Sequence, residues 1–251
     1  MDTYIKNLIA NFPQRATPLE LDVIIEGGSF NGLYGLGSLM LIKKLEKINY
    51  IKIHRISGAS IGGLLGFYYL IDKLDKSSSI YEKVRECVQK NLNLNCIRTL
   101  LQEEINNLSE EQFNKIRKDK LFLTFYESKS LKQIVKSEYT DKNDLMNTLL
   151  HSGHLPFFTS GTYYNADSEK NYFDGGMPYI YPERTNNDRK IMYISLVRFS
   201  RLNSVISIKN EKNIYGRILE GVLDAYKLFM TGEKSTMCSF MDTWQAKDFI
   251  L

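Results

Sequence analysis

The sequence predicts an α/β fold with a mainly parallel central sheet flanked by helices, and three observations lead there. A β-branched run, Leu21 to Ile25, stops abruptly at Glu26-Gly27-Gly28 and reads as a buried strand entering a turn. From about Leu33 to Ile48 the apolar residues Leu36, Leu39, Met40, Leu45 and Ile48 recur at helical spacing, with lysines between them. Ile51 to Ile56 then alternates as a second strand. Strand, loop, helix and strand within about 35 residues is the size of a βαβ unit, which implies parallel strands joined by a right-handed crossover.

Later elements follow in order. Ile61 to Lys73 is apolar nearly all round, as a helix packed inside an α/β protein is. Ser77 to Asn147 carries charged amphipathic patterns broken by Asn and Ser clusters, and reads as several helices and loops covering the sheet. Within it, Lys115 to Lys136 holds seven basic residues against Asp119 and Glu127. That stretch reads as a solvated helix face, with a membrane-facing patch as the alternative. Tyr172 to Phe173 and Ile191 to Val197 look like later strands, and Ile214 to Met230 like a closing amphipathic helix. No repeat or linker divides the 251 residues, so one domain spanning 1–251 is expected, long enough to bury a sizeable core. Its motifs fall between about 21 and 197, followed by a C-terminal helical segment at about 212–251.

Composition excludes several classes. With 43 % hydrophobic residues, 25 % charged residues and 5 prolines, the chain lacks the polar bias that keeps sequences disordered. Its 33 basic against 29 acidic residues leave a net charge of +4, too small for a nucleic-acid footprint. Cys87, Cys96 and Cys238 form no CxxC pair, so neither a disulfide framework nor a zinc cluster is suggested, and a reducing compartment fits. The leader MDTYIKNLIANFPQRATPLE has no apolar run of signal-peptide length, and no window of about 20 apolar residues follows. The expected location is cytoplasmic or otherwise intracellular, with peripheral membrane attachment as a further option.

Three short motifs could carry chemistry. Gly58-Ala59-Ser60-Ile61-Gly62 is a GxSxG between a predicted strand and an apolar helix. A nucleophile elbow needs that context: a sharp turn forces small residues around a serine whose hydroxyl projects at a helix start. A glycine-rich packing turn is the plainer alternative. The loop Gly27-Gly28-Ser29-Phe30-Asn31-Gly32 can gather successive backbone amides into a concavity for an anion or oxyanion. It carries neither GxGxxG nor GK[ST], which argues against a nucleotide. If strand one neighbours the strand leading to Ser60, loop and elbow lie side by side at the carboxyl ends of parallel strands. Asp174-Gly175-Gly176 offers a carboxylate on a turn, and a serine needs such a proton acceptor. His54, His151 and His154 are the alternative bases; His54 reads as structural, and the other two border the acid segment.

These motifs in this order resemble the patatin-like phospholipases, lipid acyl hydrolases that use a Ser/Asp dyad. The resemblance rests on EGGSFNGLYGLGSL, where the family usually shows a GGGxRG loop before a helix, on GASIG, and on DGG. HLPFF at His154 to Phe158 and Pro182 add to it, and it covers roughly Leu21 to Val197. It implies a three-layer fold, Ser60 as nucleophile, Asp174 as general base, and backbone donors around Gly27, Gly28 and Ser29 as an oxyanion hole. A lipid ester would be the substrate, cleaved through an acyl-enzyme. No cofactor and no metal is expected, calcium included.

Departures from the family pattern stand at Glu26, Ser29, Asn31 (where Arg or Lys is common) and Ile180 (where Asn is usual). They bear on substrate preference and leave two other readings open: a lipid-binding or interaction module without catalysis, and a soluble esterase or transacylase. Phe157, Phe158, Tyr163 and Tyr164 are candidate interfacial aromatics, with core packing as the plainer reading. The tail from Thr231 to Leu251, with the single Trp244, is assigned no role.

Overall fold

The computed structural model describes residues 1–91, 93–155, 159, 165–167, 170–174, 176–181, 189–197 and 213–241. Among them a mixed eight-stranded sheet is flanked by helices. Its strands are β1 (Leu19–Ile25), β2 (Ile51–Ala59), β3 (Lys118–Glu127), β4 (Gln133–Glu138), β5 (Asn165–Asp167), β6 (Lys170–Phe173), β7 (Lys190–Ile194) and β8 (Cys238–Met241). They are ordered β5-β6-β3-β2-β1-β7-β8, with β4 also paired to β3.

Parallel pairing is confined to the centre, where β7, β1, β2 and β3 run side by side. The pairs β3·β4, β3·β6, β5·β6 and β7·β8 are antiparallel, so the expectation of a mainly parallel sheet holds only for those four strands. The reason lies in the connections. Crossover helices lead from β1 to β2 and from β2 to β3, whereas a short turn joins β3 to β4, and a short turn can only return the chain antiparallel.

The helices are α1 (Asp2–Ile9), α2 (Gly32–Lys47), α3 (Ile61–Leu70), α4 (Ser77–Asn91), α5 (Cys96–Asn106), α6 (Glu110–Ile116), α7 (Lys142–Ser152) and α8 (Ile214–Thr231). Leu21, Val23 and Ile25 of β1 point into the larger core, which they share with residues of α2, α3, α5, α6, α7 and α8. Ile24 points the other way, into a smaller cluster with Tyr181, Ile191 and Tyr193, to which no described helix contributes. A third helical layer is thus not seen among the described residues. Helices α2 and α8 approach until a Cβ on Gly37 would lie 1.9 Å from the Ile218 carbonyl oxygen, so only glycine permits the crossing.

Two expectations for the chain need correction. The stretch read as a helix face, Lys115 to Lys136, holds the end of α6, all of β3 and the start of β4. Leu121, Leu123 and Phe125 alternate into the interior there, and the lysines around them mask this two-residue period in the sequence. The segment expected to be helical from about 212 onward contains α8 and then a strand, β8, on the sheet edge beside β7.

Candidate active site

The turn between β2 and α3 is built from close backbone approaches. Ser60 has φ 52° and ψ −128°, a conformation that costs a non-glycine residue on the order of 1–3 kcal/mol. Gly58 and Gly62 make it feasible: a Cβ on Gly58 would meet the Gly62 carbonyl carbon at 2.5 Å, and one on Gly62 would meet the Ile25 oxygen at 2.5 Å. The Ser60 carbonyl accepts from Gly63 and Leu64 N–H at 3.0 and 3.2 Å, and its own N–H donates to Ser152 Oγ at 3.1 Å. Ser60 is therefore the N-cap residue of α3, its hydroxyl uninvolved in capping and at the helix N-terminus, where the helix dipole favours developing negative charge.

Asp174 follows β6. Registers of Ala59 with Thr124 and of Phe173 with Tyr126 bring it level with the elbow. Its N–H donates to the His154 carbonyl at 2.9 Å, and Gly176 N–H donates to its Oδ1 at 2.7 Å. The Ser60 hydroxyl stands near enough to this carboxyl to favour its ionised form. Desolvation pushes this carboxyl from its ordinary 3.8 up to about 6, while the Ser60 hydroxyl and the Gly176 amide pull it down less strongly.

The glycine loop leaves β1 beside the elbow, because Ile25 pairs in parallel with Gly58. A Cβ on Gly32 would lie 2.4 Å from Ile61 Cγ1, so loop and α3 are packed against one another. The expected donor set needs correction at Gly27: its N–H is used by the Gly176 carbonyl at 3.1 Å, which ties the loop to the acid motif. Asn31 and Gly32 N–H are turned into the single 3-10 turn Ser29–Asn31, onto the Gly28 and Ser29 carbonyls. Among the described residues no backbone carbonyl takes the N–H of Gly28 or Ser29. Ser29 keeps the glycine-like geometry its position demands, at φ 46°. Phe30 is buried against Val88 and Leu94.

The departures at Glu26 and Asn31 find a common explanation. Glu26 Oε2 accepts from Ser195 Oγ at 2.7 Å, Leu196 N–H at 2.8 Å and Val197 N–H at 3.0 Å. Buried Asn31 donates from Nδ2 to the Leu196 carbonyl at 2.8 Å. Both side chains hold the segment that follows β7, and Arg217 of α8 donates from Nη1 to the Phe30 carbonyl at 3.4 Å. These roles, and that of Ser152, escape sequence reading because each partner is 92 or more residues away. His54 hydrogen-bonds Glu20 within the sheet, and the buried His151 ring packs 4.5 Å from Tyr172 and 5.4 Å from Phe125.

Ser60 opens onto an apolar pocket. Phe30, Leu33, Leu36, Leu64, Leu65 and Val84 are among its walls, with further lining from α5 and α7, and its polar groups are mainly hydroxyls, those of Ser29 and Ser60 included. Among the described residues no cluster of His, Cys, Asp or Glu could hold a metal ion, and no helix is long and apolar enough to cross a membrane. Gly175, Pro156, Phe157, Phe158, Tyr163, Tyr164, Pro182 and Trp244 lie outside the described residues.

No family model and no curated protein sequence matches the chain. Among solved structures it is similar to VipD from Legionella pneumophila, with a TM-score of 0.37 and 14 % sequence identity over 68 % of this chain and 48 % of VipD. The chain thus spans about half the length of that protein. A likeness at this level fixes neither a shared chemistry nor a shared substrate.

Proposed function

We propose that the protein is a lipid acyl hydrolase that cleaves carboxylic esters through a Ser60 acyl-enzyme, with Asp174 as general base. The observation that carries this reading is a serine in a strained strand-to-helix turn, lining an apolar pocket and near a desolvated carboxylate raised to about 6. A carboxyl group at that value is ionised at neutral pH yet basic enough to accept a hydroxyl proton, and that match is what general-base catalysis requires.

Attack of Ser60 Oγ on the ester carbonyl carbon passes its proton to Asp174 and makes a tetrahedral oxyanion. Gly28 and Ser29 N–H groups are the donors for that charge, and loss of one such donor typically costs about 2.7 to 4 kcal/mol. Collapse breaks the ester C–O bond, and the leaving alkoxide takes the proton from Asp174. Water then attacks the acyl-enzyme, gives its proton to Asp174, and the fatty acid departs as Ser60 Oγ is reprotonated. The apolar walls beside Ser60 support a long acyl chain as the part of the substrate that is recognised.

The test combines a fluorophosphonate probe with mass analysis of products from phospholipid, galactolipid and neutral-ester mixtures. The wild-type chain is expected to be labelled and to release fatty acid, and Ser60→Ala is expected to do neither. Release undiminished in Ser60→Ala would overturn the assignment.

A further inference from the structure

Leu131 is 68 % exposed and has φ 52°. Water disfavours an exposed leucine, and the left-handed region disfavours a branched side chain where turns ordinarily use Gly, Asn or Asp. Neither backbone nor solvent explains the residue, whereas a partner that covers it would.

The surroundings say what kind of partner. Leu131 lies in the turn between β3 and β4, closed by Leu131 N–H to the Glu127 carbonyl at 2.9 Å and by Glu127 N–H to the Lys132 carbonyl at 3.1 Å. Since Ala59 pairs with Thr124, β3 continues past the elbow from Thr124 to Glu127, which carries the turn about 10 Å beyond the site. Met177, 40 % exposed, stands beside this hairpin, its carbonyl accepting from Thr124 Oγ1 at 2.7 Å and Gln133 Nε2 at 2.9 Å. The turn exposes Lys129 and Lys132, while the carboxylate of Glu127 is held by Lys170 at 3.1 Å and by Ser130. An apolar tip between two lysines, projecting from the strand ends that also carry Ser60, complements an anionic lipid surface.

We infer that the β3–β4 turn docks the protein on anionic bilayers: Leu131, with Met177 behind it, enters the interface while Lys129 and Lys132 meet the headgroups. The inference rests on the lipid-hydrolase reading, because docking here sets the strand ends that carry Ser60 toward the surface that holds its substrate.

Sedimentation of the full chain with phosphatidylcholine vesicles, with and without phosphatidylserine, tests it. Wild type is expected to bind the anionic vesicles, less so as salt rises. Leu131→Gly removes the apolar group and also relieves the turn, so it should keep or raise Tm yet bind about tenfold less. Lys129→Gln with Lys132→Gln should lose about 30-fold on anionic vesicles and little on neutral ones. Equal binding by wild type and Leu131→Gly, or none by wild type, would overturn the docking. A concentration-dependent dimer abolished by Leu131→Gly, without vesicle binding, would assign the tip to a second copy of the chain and overturn it too. Ser60-dependent turnover of a soluble short-chain ester separates the two readings: turnover without vesicle binding removes the docking alone, and Leu131-dependent binding without turnover supports the docking and removes the hydrolase.

Discussion

Two carboxylates, buried Asp22 on β1 and half-buried Asp174 just after β6, meet opposite surroundings. Asp22 on β1 is 2 % exposed; its carboxylate takes Arg55 through Nε and Nη2, both at 2.9 Å, and Arg189 Nη1 at 3.5 Å. The Arg55 guanidinium rests in turn on the Tyr181 ring, 3.8 Å from its centroid. Asp174 has, among the described residues, no cation; the Gly176 amide donates to it and the Ser60 hydroxyl stands near. A buried carboxylate between guanidiniums is a fixed charge that organises structure, whereas one faced by neutral donors holds its proton more readily and can exchange it. The same residue type is thus made structural or reactive by its neighbours.

Exchanging each carboxyl for its amide sharpens the contrast most. Asp174→Asn should keep its fold and lose ester turnover by about 10²- to 10⁴-fold, as removal of a general base does. Asp22→Asn should leave two half-buried guanidiniums without their anion and cost about 3 kcal/mol in denaturant unfolding, while turnover per folded molecule persists. Reversal of the two outcomes would break the comparison.

Proton linkage gives the next effect. The Asp174 carboxyl is raised from 3.8 to about 6, so the folded chain binds that proton more tightly than the unfolded chain does. Its contribution to stability is therefore greatest below about pH 4 and falls, by about 3 kcal/mol, as pH rises to about 6, with no further change above. Urea titrations across this window should show that decline in wild type and not in Asp174→Asn, which ought to be the more stable chain at pH 7. Turnover should follow the ionised form and rise with a midpoint near pH 6. A decline that survives in Asp174→Asn would assign the linkage to another group.

The smallest expected effect concerns the support of the elbow. Ser152→Ala leaves the Ser60 N–H without its acceptor in a buried site, a loss of about 1 to 3 kcal/mol. If the hydroxyl positions Ser60, the change should appear in kcat with KM little altered, and Ser152→Thr should restore part of it. An equal loss of stability with kcat intact would make the contact purely structural.

How much of this is legible in the sequence varies with the range of the interaction. The first βαβ unit can be read because its periodicity is local: Val23 to Ile25 must form a buried strand and Leu36 to Leu45 an apolar helix face wherever they are placed. Strand β3 escapes such a reading because its alternating Leu121, Leu123 and Phe125 are embedded among lysines, and their burial depends on β2 lying alongside. Glu26 and Asn31 stand out only as departures from a pattern, since their partner is the segment after β7, far along the chain.

Spacing alone determined that Gly58 and Gly62 flank a serine between a strand and a helix, that a glycine loop ends the first strand, and that an acid is followed by glycine. These are properties of neighbouring residues, set by sterics within a few bonds. Only the tertiary structure decided that the Asp174 carboxyl is desolvated, that the Gly27 amide donates to Gly176, and that Ser152 holds the elbow. Desolvation and long-range hydrogen bonds arise from what packs around a group, and packing exists only once the chain has folded.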